Sequence, residues 1–600
     1  MSNNRRPAGN PGAPQRPQSQ QAQRPPAQQN RGDGSANSEN LPKVGAAAKG
    51  AVRVVFLGGL GEIGRNCCAI EVEGRIMLVD VGLMFPEEDM PGVDLVLPDF
   101  TYLRDNADRI EGAILTHGHE DHVGGLSYLL RDISFPLYAT QLTLNMARGR
   151  IEEAGLVGRT SFNPVADGER RMIGPFDVEF IPVAHSVPDS LGVAFHTPQG
   201  VIYHSGDFKI DLTPIDGRTT DLARIGAIAK ESGIRLLMAD STNAESDGFT
   251  DSEKVIGKNL RDIIRDNQGK RIIVGCFASH IHRVQQVIEA AVHSGRKVTT
   301  LGRSMRRNIQ IAREMGKLDI SDDALFDIEK IGDYDPAKVL ILSTGSQGEP
   351  MSALSLMAAG ENRFIHIGKN DLVLLSSHAI PGNETLVGKV IDGLTRLGAD
   401  VIHSGLAKVH VSGHAKRGEL KTLLNVAKPK YFIPIHGEFR HLTHHTRLAM
   451  EMGVAAGNIL LCEDGDSVEL TDSGIDFGPT VPAGYLYVDG IVGDVGNGVL
   501  RDRKVLSNEG VVVVITTIDE RNGEIVTGPE IITRGWVYAP EAEALLDEAS
   551  AFIGKALRQA IADGARDHEA MKRIVRQSTG KFVSERTRRR PMIVPVVIEV

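Results

Sequence analysis

The chain has 600 residues, with 67 Lys+Arg against 77 Asp+Glu for a formal net charge of −10, and 41% of its residues are hydrophobic. This is ordinary soluble globular composition, long enough for about three to five domain-sized pieces, which excludes a fibrous or wholly disordered protein. No run of about 18 apolar residues occurs, so no membrane span is expected. The four cysteines include the adjacent pair Cys67 and Cys68 and form neither a disulfide framework nor a CxxC zinc clip, which fits a reducing cytoplasm.

Residues 1–40 hold 6 Pro, 7 Gln and 5 Arg but no Val, Ile, Leu, Phe, Tyr or Trp. Such a segment cannot bury enough apolar surface to offset its ordering entropy, so a disordered tail is expected over 1–47. Short β-branched runs bounded by Gly, Pro or Asp then read as strands: 53–57, 76–81, 113–116, 178–183, 191–195, 201–204 and 235–239. Further runs at 271–274, 339–342, 372–375 and 431–435 are separated by helical stretches such as 281–293, the pattern of an α/β domain. From about 480 a small α+β domain is expected. It has a strand over 510–518, a helix opened by Pro540 with Leu545, Ala549, Phe552, Ile553 and Ala556 on one face, and a last strand over 591–600.

One motif is a decoy. Gly59-Leu60-Gly61-Glu62-Ile63-Gly64 matches a dinucleotide-binding fingerprint after a strand. That reading needs a helix next, whereas residues 66–73 alternate and end at Gly74, which predicts a β-hairpin. The glycines then serve a turn.

The strongest signal is Thr116-His117-Gly118-His119-Glu120-Asp121-His122, four candidate metal ligands within six residues on a strand-to-helix turn. Neutral imidazole with carboxylate suits zinc or manganese. One loop cannot complete two metal spheres, and His185, Asp207 and His436 each stand just beyond an apolar strand.

With these residues the sequence resembles the metallo-β-lactamase fold, whose signature is H-x-H-x-D-H, and within it the β-CASP nucleases of the bacterial ribonuclease J family. Asp80, the loop His117–His122, His185 and Asp207 match the four metallo-β-lactamase motifs. Asp240, His414 and His436 match the three β-CASP motifs. The resemblance runs from about residue 50 to 600. It implies a metallo-β-lactamase αββα sandwich with an inserted α/β β-CASP domain and a small C-terminal α+β domain. The domain map it implies is 50–250 and 405–470 for the metal domain, 251–404 for the β-CASP domain, a linker over 471–485 and an oligomerisation domain over 486–600.

The resemblance also divides the ligands. One metal takes His117, His119 and His185, the other Asp121, His122 and His436, and Asp207 bridges them. Two divalent metals per subunit are implied, zinc by default with manganese as the alternative. The implied catalytic set is Asp80, Asp121, Asp240 and His414, with Asp80 orienting a ligand and His414 contacting the scissile phosphate. An activated water attacks phosphorus, the 3′ oxygen leaves, and the product keeps a 5′-phosphate. RNA contacts are expected from His410, Val411, Ser412, Gly413, Ser279, His280, Ser343 and Arg303, with Arg283 nearby in sequence, and a structural calcium near Gly92, Asp94 and Asp489.

The implied function is a metal-dependent ribonuclease acting 5′-to-3′ on single-stranded RNA with a 5′-monophosphate, and also internally, in rRNA and mRNA maturation and decay. Homodimers or homotetramers, RNA-degradation or ribosome-associated partners, no membrane partner and a cytoplasmic location go with it. The net charge of −10 is compatible with RNA binding if clusters such as Arg303, Arg306 and Arg307, or Arg586 and Arg588–Arg590, line a positive channel. The alternatives are a β-CASP nuclease acting on DNA, a hydrolase of small esters on the same fold, and a scaffold with a dead site. The long insertion and the intact ligand set argue against the last two.

Overall fold

A computed structural model describes residues 41–600 except 88, 381, 491–492, 520, 522–523, 538–541 and 566. The expected tail over 1–40 and Pro540 lie outside the described residues. Within the last stretch read as tail, Arg53 donates to the Gly45 carbonyl at 2.7 Å and the Ala47 N–H donates to Glu71 at 2.6 Å. Among the described residues no helix is long and apolar enough to cross a membrane.

The chain divides into two compact units: residues up to Gly82 with Pro98–Gly484, and Leu83–Leu97 with Tyr485–Val600. The first unit contains two sheets face to face. One has the strand order Gly474–Phe477, Ser467–Thr471, Val52–Gly58, Cys67–Val72, Arg75–Val79, Ile110–Ile114, Leu137–Ala139 and Phe162–Pro164. The other runs Tyr431–Ile435, Ile234–Asp240, Gly200–His204, Leu191–Thr197, Phe176–Pro182 and Arg170–Ile173. Val54, Phe56, Ile70, Val178, Phe180, Val193, Phe195, Leu236 and Ile433 form one buried cluster between them. Helices Leu222–Glu231, Arg417–Ala427 and Phe439–Glu451 cover the outer face of the second sheet through Ile225, Ile228, Leu420, Leu424 and Leu448. This is the αββα sandwich expected from the sequence.

Between Ile234–Asp240 and Tyr431–Ile435, which pair in parallel, the chain leaves to build a separate α/β layer. Its strands are ordered Lys297–Leu301, Val339–Ser343, Arg271–Gly275, Asp371–Leu375 and Asp400–Ile402, and every pairing is parallel. Ile272, Val274, Leu340 and Leu342 pack on one face, Ile273, Ile341, Val373 and Leu375 on the other. That two-sided burial explains why these strands read as continuous apolar runs.

One sequence reading of a strand end shifts for a physical reason. The run read as 76–81 stops at Val79, because Asp80 turns into left-handed backbone with φ +62°. The stretch after the glycine motif is the expected hairpin, Cys67–Val72 antiparallel to Arg75–Val79.

The second unit holds the sheet Ile525–Arg534, Val511–Ile518 and Met592–Glu599, with helices Glu543–Ala562 and His568–Thr587. Val511–Ile518 alternates buried and half-buried residues, so one sheet face packs on Ile553, Leu557, Met571 and Val575. Segment 83–97, expected within the metal domain, belongs to this unit instead. Its Met84 and Val96 form a bridge and share a cluster with Val93, Tyr487 and Leu500.

Candidate metal centre

The ligand loop follows Ile110–Ile114 and turns into the one-turn helix Glu120–Val123. Asp80 fixes its start, accepting from the Thr116 N–H and the Thr116 hydroxyl at 2.8 Å each. Asn66 fixes its end, donating to the Asp121 carbonyl from its backbone N–H at 3.0 Å and from its side chain at 3.2 Å. Gly82 must be glycine here: a Cβ would lie 1.7 Å from the Asp121 carbonyl oxygen.

Seven side chains from four segments then converge in two sets that share Asp207, His117 with His119 and His185, and Asp121 with His122 and His436; a third set, Asp207 with Asp240, His414 and His436, overlaps them. Asp207 Oδ2 lies 3.6 Å from His117 Nε2, 3.9 Å from His185 Nε2 and 3.2 Å from His122 Nε2. Asp121 Oδ2 lies 3.5 Å from both His122 Nε2 and His436 Nε2. The outward nitrogens are held by other partners. His122 Nδ1 is 2.7 Å from Asp80 Oδ2, His185 Nδ1 donates to the Gly413 carbonyl at 2.9 Å, and His436 Nδ1 is 2.7 Å from Asp207 Oδ1. Each contact fixes the ring and turns the other nitrogen toward the centre.

The fit to a cation rests on an observation of this structure. Asp207 Oδ2 and His436 Nε2 are buried without a hydrogen-bond partner. Buried polar atoms are rarely left so, and two of them pointing into one nitrogen- and oxygen-lined space suit a divalent ion. The electrostatics agree. Burial pushes His117 and His185 well below the ordinary imidazole range and His119 down to about 4, so their lone pairs are free at neutral pH. For His436 burial works the other way from its neighbours, and Asp207, Asp121 and Asp240 raise it to about 10. The same opposition raises His122 through Asp207, Asp121 and Asp80.

Asp240 and His414 stand at the edge of this centre. Asp240 Oδ2 is 2.8 Å from His414 Nδ1, and Asp240 Oδ1 accepts from Thr242. His414 is half-buried. Burial would lower its pKa, but Asp240 and Asp207 raise it. The loop that carries it is tied down by residues that no motif announces. Thr250 and Asn243 donate to the His414 carbonyl at 2.7 and 3.1 Å, Asn243 also donates to Ser412 Oγ at 2.8 Å, and Glu419 accepts from the N–H groups of Lys416, Thr250 and Ile210. Gly413 lets the loop touch the metal ligands, since a Cβ there would meet His185 Cε1 at 2.6 Å.

The decoy loop has a place in this centre. Leu60–Gly61 pairs in parallel with Gly437–Glu438, immediately after His436, whose own backbone is left-handed at φ +52°. The glycine-rich turn thus braces a ligand.

Other expected contacts fall elsewhere. His410 is half-buried, with Nδ1 lacking a hydrogen-bond partner and its ring 5.2 Å from His378. Arg303 is exposed at the start of helix Arg303–Glu314, and Ser279 is half-buried. His280 is interior: Nδ1 accepts from the Arg283 N–H and Nε2 is 3.1 Å from the buried Glu253 carboxylate, so RNA does not reach it. Ser343 is buried with its hydroxyl on the Thr344 carbonyl. Gly92, Asp94 and Asp489, expected near a calcium, come together beside Arg503 and Gly490. Arg503 donates to the Gly92 carbonyl at 2.6 Å and to Asp489 at 2.8 Å, and Asp94 accepts from the Gly490 N–H.

Four family models match the chain. They are the metallo-beta-lactamase superfamily over residues 60–242, the ribonuclease J beta-CASP domain over 269–394, the Zn-dependent metallo-hydrolase RNA specificity domain over 400–459, and the ribonuclease J C-terminal domain over 498–600. Among curated relatives, ribonuclease J of Mycobacterium tuberculosis is 42% identical over 94% of this chain and 100% of its own length. Ribonuclease J2 of Bacillus subtilis is 40% identical over 92% of this chain and 99% of its own. Ribonuclease J 1 of Streptococcus pyogenes is 40% identical over 91% and 97%.

Proposed function

The chain belongs to the ribonuclease J family and is a metal-dependent ribonuclease; from that premise we propose that it degrades single-stranded RNA from a 5′-monophosphate end in the 5′-to-3′ direction and also cuts internally. The observation that carries this reading is the pair of convergent donor sets sharing Asp207, with the Asp240–His414 pair at their edge.

Two divalent cations, zinc for this nitrogen-rich set with manganese as the alternative, supply when bound an acidified water and positive charge beside the phosphate. His117, His119 and His185 would hold one, Asp121, His122 and His436 the other, with Asp207 available to both. Asp80 keeps His122 in the ring orientation that points Nε2 inward. Asp240 holds His414 Nδ1 and keeps the ring protonated, so that His414 places a hydrogen bond on the scissile phosphate and supplies a proton as the P–O3′ bond breaks. The released nucleotide carries a 3′-hydroxyl, and the remaining RNA keeps a 5′-phosphate.

Ser412, the Gly413 backbone and the Nδ1 of His410 are the groups that would receive the terminal phosphate. Arg303 and Arg306, exposed on one helix, are the proposed lip of the RNA channel. Dimers or tetramers built through residues 486–600, a cytoplasmic location and work in rRNA and mRNA maturation and decay complete the reading.

The test compares RNA bearing a 5′-monophosphate, a triphosphate or a hydroxyl, with wild type beside His119→Ala. Mononucleotides released fastest from the monophosphate RNA, lost in the variant and with chelator, are expected. Internal fragments independent of the 5′ end would make the enzyme chiefly an endonuclease, and activity on DNA alone would overturn the substrate.

A further inference from the structure

Arg283 stands in the sequence among residues expected to touch phosphate, and the structure puts it in the interior. It is fully buried, with every nitrogen of its guanidinium committed to protein. Nε donates to Gln286 Oε1 at 3.3 Å, and Nη2 donates to Glu253 Oε2 at 2.6 Å. Nη1 donates to the Val409 carbonyl at 2.9 Å and to the hydroxyl and carbonyl of Ser376 at 2.5 and 3.2 Å. The Ser376 hydroxyl in turn donates to the same Val409 carbonyl at 2.6 Å. Glu253 is paired on its other oxygen by His280.

Val409 is the root of the segment His410–His414. The far end of that segment is held by Thr250, Asn243 and Glu419. Its near end is held by Arg283, which reaches it from the helix Ile281–His293 of the inserted layer. A guanidinium suits this task because its planar fork aims five N–H donors in fixed directions at acceptors from four residues, where a compact ammonium has three donors at one point.

We propose that Arg283 is a positioning residue for RNA cleavage: buried against Glu253, it fixes the Val409 carbonyl and Ser376, and so sets the loop that carries His410, Ser412 and His414 against the metal centre. The inference rests on the role given to His414 above. It separates Arg283 from phosphate binding, although it lies three residues from His280 in a stretch that reads as an RNA contact.

The experiment measures kcat, metal content and the salt dependence of RNA binding in Arg283→Lys and in the double variant Arg283→Met/Glu253→Gln, which removes both buried charges together. A misplaced catalytic group costs up to about 100-fold, so kcat is expected to fall between about 10- and 100-fold, with metal content equal to wild type. The slope of log K against log salt is expected to stay that of wild type. A phosphate contact would lower that slope by about 0.7 on a single strand. Ser376→Ala deletes one acceptor and strands no charge, and it carries the test if either variant fails to fold: a loss of about 3-fold or more in kcat with the salt slope unchanged is expected. A kcat within about 2-fold of wild type across the folded variants, or a reduced salt slope, would overturn the proposal. Wild-type protein that cleaves no RNA in the same assay would instead sink the proposed function.

Discussion

Two clusters of buried charged and polar groups flank the His410–His414 loop, and they differ in how they are satisfied. In the metal centre, Asp207 Oδ2 and His436 Nε2 are left without hydrogen-bond partners. In the Arg283 cluster, Arg283 makes hydrogen bonds to Gln286, Val409, Ser376 and Glu253, and both Glu253 oxygens are bonded. The first arrangement is costly unless something else enters; the second needs nothing more. Two unsatisfied atoms that face one another inside a shell of metal-ligating side chains point to a ligand, whereas the saturated Arg283 cluster is scaffold, although the residue types are alike.

The comparison breaks most sharply at the shared ligand. Asp207→Ala is expected to lower kcat on RNA by more than about 10³-fold and to lower metal content, measured by elemental analysis beside the cleavage assay. His414→Gln is expected to cost about 10²- to 10⁴-fold in kcat with metal content unchanged, the outcome that the proposed action of this side chain on substrate requires. Asp80→Asn weakens the hold on His122 and is expected to cost about 10- to 100-fold in metal affinity, with cleavage recovering as metal is added. Metal at about 100 times its Kd is expected to stabilise the folded chain by about 2.7 kcal/mol, read as a rise in Tm that chelator reverses. At the small end, Asp177→Asn breaks the Arg170–Asp177 pair, which sits at the surface, and is expected to cost less than about 1 kcal/mol in denaturant unfolding. A large loss there would mean that pairing alone, without burial, governs these energies.

The two clusters were not equally legible in the sequence. The metal loop is contiguous, from His117 to His122, and the other candidate ligands follow short apolar strands, so spacing and residue type picked out candidates and the family resemblance grouped them. Strands such as Val52–Gly58, Phe176–Pro182 and Tyr431–Ile435 and helix 281–293 were likewise visible as apolar runs bounded by Gly, Pro or Asp, whereas Leu137–Ala139, Phe162–Pro164, Arg170–Ile173, Ser467–Thr471 and Gly474–Phe477, short or at the sheet edges, were not. Arg283 and His280 were misplaced because a basic stretch after a strand looks the same whether it faces RNA or the interior; only the partners Glu253, Ser376 and Val409, distant in the chain, decide. Glu419, Asn243 and Thr250 carried no signal, since they bind backbone groups of remote segments. The helix His568–Thr587 did carry one, in the spacing of Met571, Val575 and Phe582. The move of segment 83–97 into the C-terminal unit could not be read, because its strand Leu95–Pro98 looks like any other short apolar run.

The measurement that bears most directly on the two-metal account is a titration of metal-free protein with Zn²⁺ or Mn²⁺, following ions bound per chain and cleavage of 5′-monophosphate RNA in the same samples. The account predicts two ions bound per chain, cleavage rising with the second, and a single ion with no cleavage in His119→Ala. Full cleavage with one ion bound, or in chelator with none, would contradict it.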